Sequence, residues 1–253
     1  MSDLAGPPTG PIVVPRIVLD LLESQGMRDA VLRPVWLNGA GGLTFSVVGS
    51  DREPSFFLKH NPAGSGESLA DEAGRLRWIA GKHPAPEVVA LEAGGGQEAL
   101  MTKALPGRSA VDEQWKKEPR IALRALGDGL RKLHELPVDD CPYDWGVEHR
   151  VRADRITPQA FAAIGEQPSV DRLVVCQGDP CAPNTLIADD GSFLAHVDLA
   201  RLGTADCWAD LAVMTLSLEW NFVDYDEADF WDAYGVAPDA RRIAYYRALW
   251  DAA

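Results

Sequence analysis

Val174-Val175-Cys176-Gln177-Gly178-Asp179-Pro180-Cys181-Ala182-Pro183-Asn184, followed downstream by Val197-Asp198-Leu199-Ala200-Arg201, sets three oxygen-bearing side chains at the ends of two apolar runs. Asp179 follows the first run in a loop stiffened by Pro180 and Pro183, where a fixed carboxylate can take the proton of a bound hydroxyl. Asn184 and Asp198 supply an amide and a second carboxylate, the hard oxygen donors that hold Mg²⁺ against nucleotide phosphates. Each residue alone reads as an ordinary turn or strand-end side chain. The ordered set points to phosphoryl transfer.

The 253 residues suffice for a substantial core and sit near the upper limit of one domain, so two lobes are expected. No apolar run is long enough for a membrane span. The Pro- and Gly-rich stretch Met1 to Pro15 lacks basic residues ahead of its short apolar part, and is expected to be a frayed leader rather than a secretory signal. Cys141, Cys176, Cys181 and Cys207 form no Cys-x-x-Cys pair, which argues against a disulfide scaffold or zinc site and for a reducing cytoplasm. The five histidines are scattered singly and suggest no metal cluster.

The net charge of −14 is lopsided: residues 1–138 sum to −1 and residues 139–253 to −13. Phosphates are repelled by such a surface, so nucleic acid is not the expected partner. A cationic small molecule drawn to the second half fits the charge, as does an acidic surface kept for solubility.

Strands Val31–Leu37 and Leu43–Val48 flank the glycine-rich turn Asn38–Gly42, whose backbone N–H groups can approach phosphates. A third strand, Ser55–Lys59, precedes a helix over Glu67–Ala80 with Leu69, Ala73, Leu76 and Ala80 on one face. Val88–Leu91 and Ala99–Thr102 complete five strands around one helix. Lys59 and Glu72 fit a phosphate-binding lysine and its orienting glutamate, and Phe57 has the shape to cover an adenine or to pack in the core. Beyond Ala104–Arg108 the patterns are mainly helical: Arg120–Leu136, Ala209–Trp220, Glu227–Tyr234 and Pro238–Trp250, with short strands Leu173–Cys176 and Ala195–Asp198 carrying the opening motifs.

At these residues the chain resembles the aminoglycoside O-phosphotransferases of the 3′ and 3″ type, closest in motif to streptomycin 3″-phosphotransferases. Gln177-Gly178-Asp179 with Asn184 is similar to the family's catalytic loop. Asp198 to Asp206 with Trp208 to Ala212 is similar to its metal segment and following helix. Asp71 to Trp78 resembles its lysine-pairing helix, and Cys141-Pro142-Tyr143-Asp144 and Pro238 to Arg247 also read like family segments. The resemblance implies an α+β, bilobal protein-kinase-like fold: an N-lobe (1–103) with an antiparallel β-sheet and one helix that binds nucleotide, and a mainly helical C-lobe (104–253) for catalysis and substrate. It implies ATP and Mg²⁺ as cofactors and, as reaction, transfer of the γ-phosphoryl group to an aminoglycoside hydroxyl, with antibiotic resistance as the outcome.

By position, the resemblance makes Asp179 the base and puts Arg201 near the transferred phosphate. Asn184 and Asp198 become the metal ligands, and Lys59 with Glu72 the phosphate contact. Phe57, Thr102 and Ala104 fall around the adenine, and Asp210 braces the catalytic loop. Glu219, Asp251 and the Ala253 terminus hold the drug's ammonium groups. A monomer or weak dimer without membrane contact is expected. Two departures stand out. Gln177 replaces the usual histidine, although it also donates and accepts, and the segment between Trp145 and Leu173 is short where drug-binding acids are common. Trp220, beside Glu219, puts an apolar wall there. A kinase of the same fold for another cationic molecule and a nucleotide-binding pseudokinase remain the alternatives.

Overall fold

The computed structural model describes residues 6–48, 54–153 and 156–252. It divides into two compact units: the chain up to Ala80 with Pro86–Leu105, and Gly81–Ala85 with the chain from Pro106 onward.

The first unit contains α1 (Arg16–Ser24), β1 (Val31–Leu37), β2 (Leu43–Val48), β3 (Pro54–Asn61), α2 (Leu69–Ile79), β4 (Val88–Gly94) and β5 (Gln97–Lys103). The strands form an antiparallel sheet in the order β1-β2-β3-β5-β4. Because side chains alternate along a strand, Phe45, Val47, Leu58, Ala99 and Met101 share one face and are buried against Val18, Leu21 and Leu22 of α1. Lys59 lies on the opposite face, toward α2. Ser68 caps α2 by accepting from the Asp71 N–H (3.1 Å), and the Glu98 carboxylate accepts from the Leu69 N–H (2.5 Å), satisfying donors that a helix start leaves orphaned.

Three expectations change here. Among the described residues the unit holds two helices, not one; the pattern Ile17, Val18, Leu21, Leu22 was the legible sign of α1. The supposed frayed leader is tied down from Gly6, which exchanges hydrogen bonds with Leu37 at 3.0 and 2.9 Å, while Ile12 and Val14 pack on the core. The buried residue at the end of α2 is Ile79 rather than Ala80, which is exposed.

The second unit comprises β6 (Arg108–Ser109), α3 (Glu113–Lys116), α4 (Pro119–His134), α5 (Val147–Ala153), α6 (Pro158–Ile164), β7 (Leu173–Cys176), β8 (Thr185–Ile187), β9 (Phe193–His196), β10 (Gly203–Asp206), α7 (Trp208–Asn221), α8 (Ala228–Tyr234) and α9 (Ala240–Asp251). Its helices surround one large core that includes Leu123, Leu126, Leu130, Trp208, Leu211, Phe230 and Leu249. Gly127 allows α4 to meet α8 closely, since a Cβ there would lie 2.5 Å from the Phe230 carbonyl oxygen. The short strands are more numerous than the sequence suggested, and β9 stops at His196, before Asp198. No described helix is long and apolar enough to cross a membrane.

Within this unit the His83 ring nitrogen Nε2 lies 3.0 Å from His196 Nδ1, both rings buried beside Phe193. Burial, reinforced by His134 and Lys132, pushes the His83 pKa down to about 4, and His196 is also lowered by burial. A base whose folded pKa is depressed stabilises the fold fully above its unfolded value near 6.5. That stability falls away as pH drops toward the folded value, because the unfolded chain takes up the proton first. Between about pH 6.5 and 4 the His83 proton costs on the order of 1.4 kcal/mol per pH unit. Urea unfolding across this window should show a shallower loss for His83→Gln than for the parent chain; an equal slope would remove His83 as a source of acid sensitivity.

Candidate active site

β7 and β10 pair antiparallel, with Cys176 opposite Gly203, and the chain leaving β7 forms the loop Gln177–Asn184. Gly178 adopts φ +85, and a Cβ there would come within 2.1 Å of the Arg201 carbonyl oxygen. Glycine is therefore required twice over, by backbone conformation and by contact. The backbone carbonyl of Asp179 accepts from the Cys181 N–H (2.8 Å) and from Asn184 Nδ2 (3.0 Å), closing the loop on itself. The Cys181 thiol donates to Asp179 Oδ1 at 3.1 Å. Burial raises the pKa of that thiol, with the Asp179 and Asp198 charges adding to the effect and Arg201 opposing it. Asp179, Asp198 and Arg201 thus act electrostatically on one point.

Asn184 is joined to the second motif directly: its carbonyl accepts from the Val197 N–H at 2.9 Å, and Asp198 is the next residue. Asp198 has φ +58, an uncommon conformation for a residue other than glycine, of the kind concentrated at functional sites. Asn184 spends its amide N–H on Asp179, which leaves the amide oxygen as the group to offer a cation. An amide oxygen and a carboxylate on adjoining turns form a hard donor set that fits Mg²⁺.

Asp210, on the first turn of α7, holds the loop from beneath. Its Oδ2 accepts from the Gln177 N–H (2.6 Å) and His134 Nε2 (3.0 Å), and its Oδ1 from the Gly178 N–H (3.1 Å). His134 Nδ1 lies 2.7 Å from the Tyr234 hydroxyl, which in turn accepts from Arg172. Arginine can only donate and a carboxylate can only accept, so His134 carries a proton on Nε2. His134, Cys176 and Asp210 bring ligand atoms within 4.8 Å of one another, yet both Asp210 oxygens are committed to the loop, and the cluster serves as a brace. Ser217 adds a further tether, its hydroxyl accepting from the Ala182 N–H at 2.9 Å. Arg172, Tyr234, His134 and Ser217 were not legible as site residues, because each is brought to the loop from a distant element.

Gln177 is fully buried and donates through Nε2 to the Val197 carbonyl (3.2 Å), linking the two motifs. Its Oε1 has no hydrogen-bond partner among the described residues. The side chain was expected to donate and accept; only the donor half is matched.

In the first unit Lys59 Nζ pairs with Glu72 Oε1 at 2.7 Å, with Glu72 buried and Lys59 half-buried. Phe57 sits opposite Thr102 in the sheet register, two positions from Lys59 on the same face. The Ala104 N–H is already donated to the Ser55 carbonyl at 3.0 Å, so its carbonyl is the backbone group to weigh for a purine. The N–H groups of Ala40 and Gly42 bond to Asn38 Oδ1, and that of Gly41 to the Asn38 carbonyl, so the glycine-rich turn uses these donors internally.

This loop and its brace coincide with a match to the model described as "Phosphotransferase enzyme family" over residues 32–249. The chain belongs to the phosphotransferase enzyme family. The streptomycin 3″-kinase of Streptomyces griseus is 31% identical to this phosphotransferase, covering 83% of this chain and 89% of the relative. An aminoglycoside 3′-phosphotransferase of Niallia circulans is 29% identical, covering 90% and 94%. Among solved structures, aminoglycoside phosphotransferase APH(3″)-Id from Streptomyces rimosus superposes with a TM-score of 0.74 at 27% identity, covering 92% of this chain and 96% of that one. That enzyme is also known in complex with ADP and streptomycin.

The residues expected to face a cationic acceptor lie on α7 and at the end of α9. Glu219 is ion-paired with Arg247 at 2.6 Å, and Arg247 also donates to Thr215 Oγ1 (2.9 Å), so the carboxylate proposed for a drug ammonium is already balanced. Trp220 beside it is exposed, as is Asp251 at the end of α9. Ala253 lies outside the described residues. Arg201 stacks its guanidinium near two indole rings, Trp145 and Trp250.

Proposed function

We propose that the protein transfers the γ-phosphoryl group of ATP, bound with Mg²⁺, to a hydroxyl of an aminoglycoside, the 3″-OH of streptomycin or the 3′-OH of a kanamycin-type drug, conferring resistance from within the cytoplasm. The observation that carries this reading is the clamped loop, in which Asp210 fixes the backbone of Gln177 and Gly178 beneath Asp179. The identity of the relatives supports the choice of substrate class. Asp179 accepts the proton of the acceptor hydroxyl as its oxygen attacks the γ-phosphorus, and the bond from that phosphorus to the bridging oxygen of ADP breaks. Asn184 and Asp198 would hold Mg²⁺, which would supply positive charge against the phosphates. Lys59, oriented by Glu72, contacts the phosphates, and Phe57, Thr102 and the Ala104 carbonyl take the adenine. Arg201 stabilises the transferring group. Asp251 and the acidic second half attract the cationic acceptor, with Glu219 contributing after release from Arg247.

The test is ADP release with Mg·ATP across a panel of streptomycin, kanamycin and neomycin. At least one drug is expected to stimulate release well above the rate to water. No stimulation by any of them overturns the aminoglycoside assignment.

A further inference from the structure

Four side chains from separate parts of the second unit form one stack. The Arg150 guanidinium lies 5.1 Å from the Trp145 ring centroid and 5.9 Å from that of Trp250. Arg201 lies 5.6 and 5.7 Å from the same two rings. All four distances fall within the roughly 6 Å over which a cation is attracted to an aromatic face. Trp145 and Arg150 are buried, and Trp250 and Arg201 are half-buried. The backbone of Trp145 is fixed by its main-chain N–H, which donates to the Thr204 carbonyl on β10 at 3.0 Å. Trp250 comes from the last turn of α9.

Packing alone does not call for this composition. An apolar side chain could fill the space beside Trp145 and Trp250 without bringing a charge partly out of water. The backbone of Arg201 is meanwhile pressed against the catalytic loop, where Gly178 leaves room for its carbonyl. An arginine held at its backbone by that loop and at its planar head by two indoles has few rotamers left. Among the described residues no ion pair is formed by Arg201, so its location is set by the loop and the two indoles.

We propose that Trp145 and Trp250 are positioning residues that hold the Arg201 guanidinium for phosphoryl transfer, joining the end of α9 to the metal-bearing segment. The proposal rests on the phosphotransfer role assigned to Arg201 above.

A double-mutant cycle reads it. Trp250 is the better probe because it is only half-buried. Trp250→Leu is expected to lower kcat for ADP release about tenfold, the scale of one desolvated cation–π contact, with KM for Mg·ATP unchanged. Trp250→Phe restores most of the loss by keeping an aromatic face. In an Arg201→Met background Trp250→Leu costs nothing further, because the group it acts through is gone. Independent effects that multiply, or an unchanged kcat in Trp250→Leu, overturn the proposal. Thermal melting accompanies each variant. Should Trp250→Leu fail to fold, Trp250→Met takes its place in the same cycle, since it fills the space flexibly without an aromatic face. The rate is read with whichever aminoglycoside is accepted, or with water if none is. Loss of the substrate assignment therefore leaves the cycle readable.

Discussion

Asp179→Asn is expected to lower acceptor-dependent ADP release by about 10²–10⁴-fold, the usual contribution of a positioned general base. An amide cannot take the hydroxyl proton, while its size and shape match the carboxylate. The loop should survive the change. Its closing bonds, from the Cys181 N–H and from Asn184 Nδ2, fall on the backbone carbonyl of residue 179, and an amide oxygen can still accept from the Cys181 thiol. KM for Mg·ATP and the melting temperature should therefore stay near those of the parent. Steady-state kinetics beside a thermal melt separates the cases: full turnover in this variant means that another group is the base.

Asp210→Ala carries the largest expected cost in stability. The carboxylate is fully buried and accepts from two backbone N–H groups and from His134. Its removal strands three donors without water. Each buried donor left unsatisfied typically costs about 1–3 kcal/mol, and a total of several kcal/mol in a chain of this size corresponds to a melting temperature lower by roughly 10 °C. Turnover should fall as well, since Gln177 and Gly178 lose the group that fixes the loop ahead of Asp179. Asp210→Asn should lie between, because one amide oxygen still accepts while the amide N–H₂ faces donors. A melting temperature unchanged in Asp210→Ala would show that the brace is dispensable.

Much of the site was legible because its chemistry is local in the chain. Asp179 and Asn184 sit on one short loop, and Asp198 follows a strand that pairs with the strand leaving that loop. The Lys59–Glu72 pair was readable from a strand followed by an amphipathic helix, and it forms at 2.7 Å. Where local reading failed, a partner was far away in sequence. Glu219 looked like an open carboxylate until α9 brought Arg247 to it. The acceptor half of Gln177 looked useful until its surroundings supplied no donor. The helix α1 was overlooked beside proline and glycine, although its apolar spacing was regular.

Hydrophobic periodicity and motif spacing were enough for the α+β class, the five-stranded antiparallel sheet and the choice of candidate site residues, because period-two and period-3.6 patterns and loop residues are properties of neighbouring positions. Tertiary structure alone decided how those groups are held: Asp210 with His134 under the loop, Arg201 between Trp145 and Trp250, and Asp198 in a left-handed conformation. Such contacts join residues from separate helices and strands, and they form only when the burial of the core brings those elements together. The chain order names the candidate groups, and packing sets their geometry.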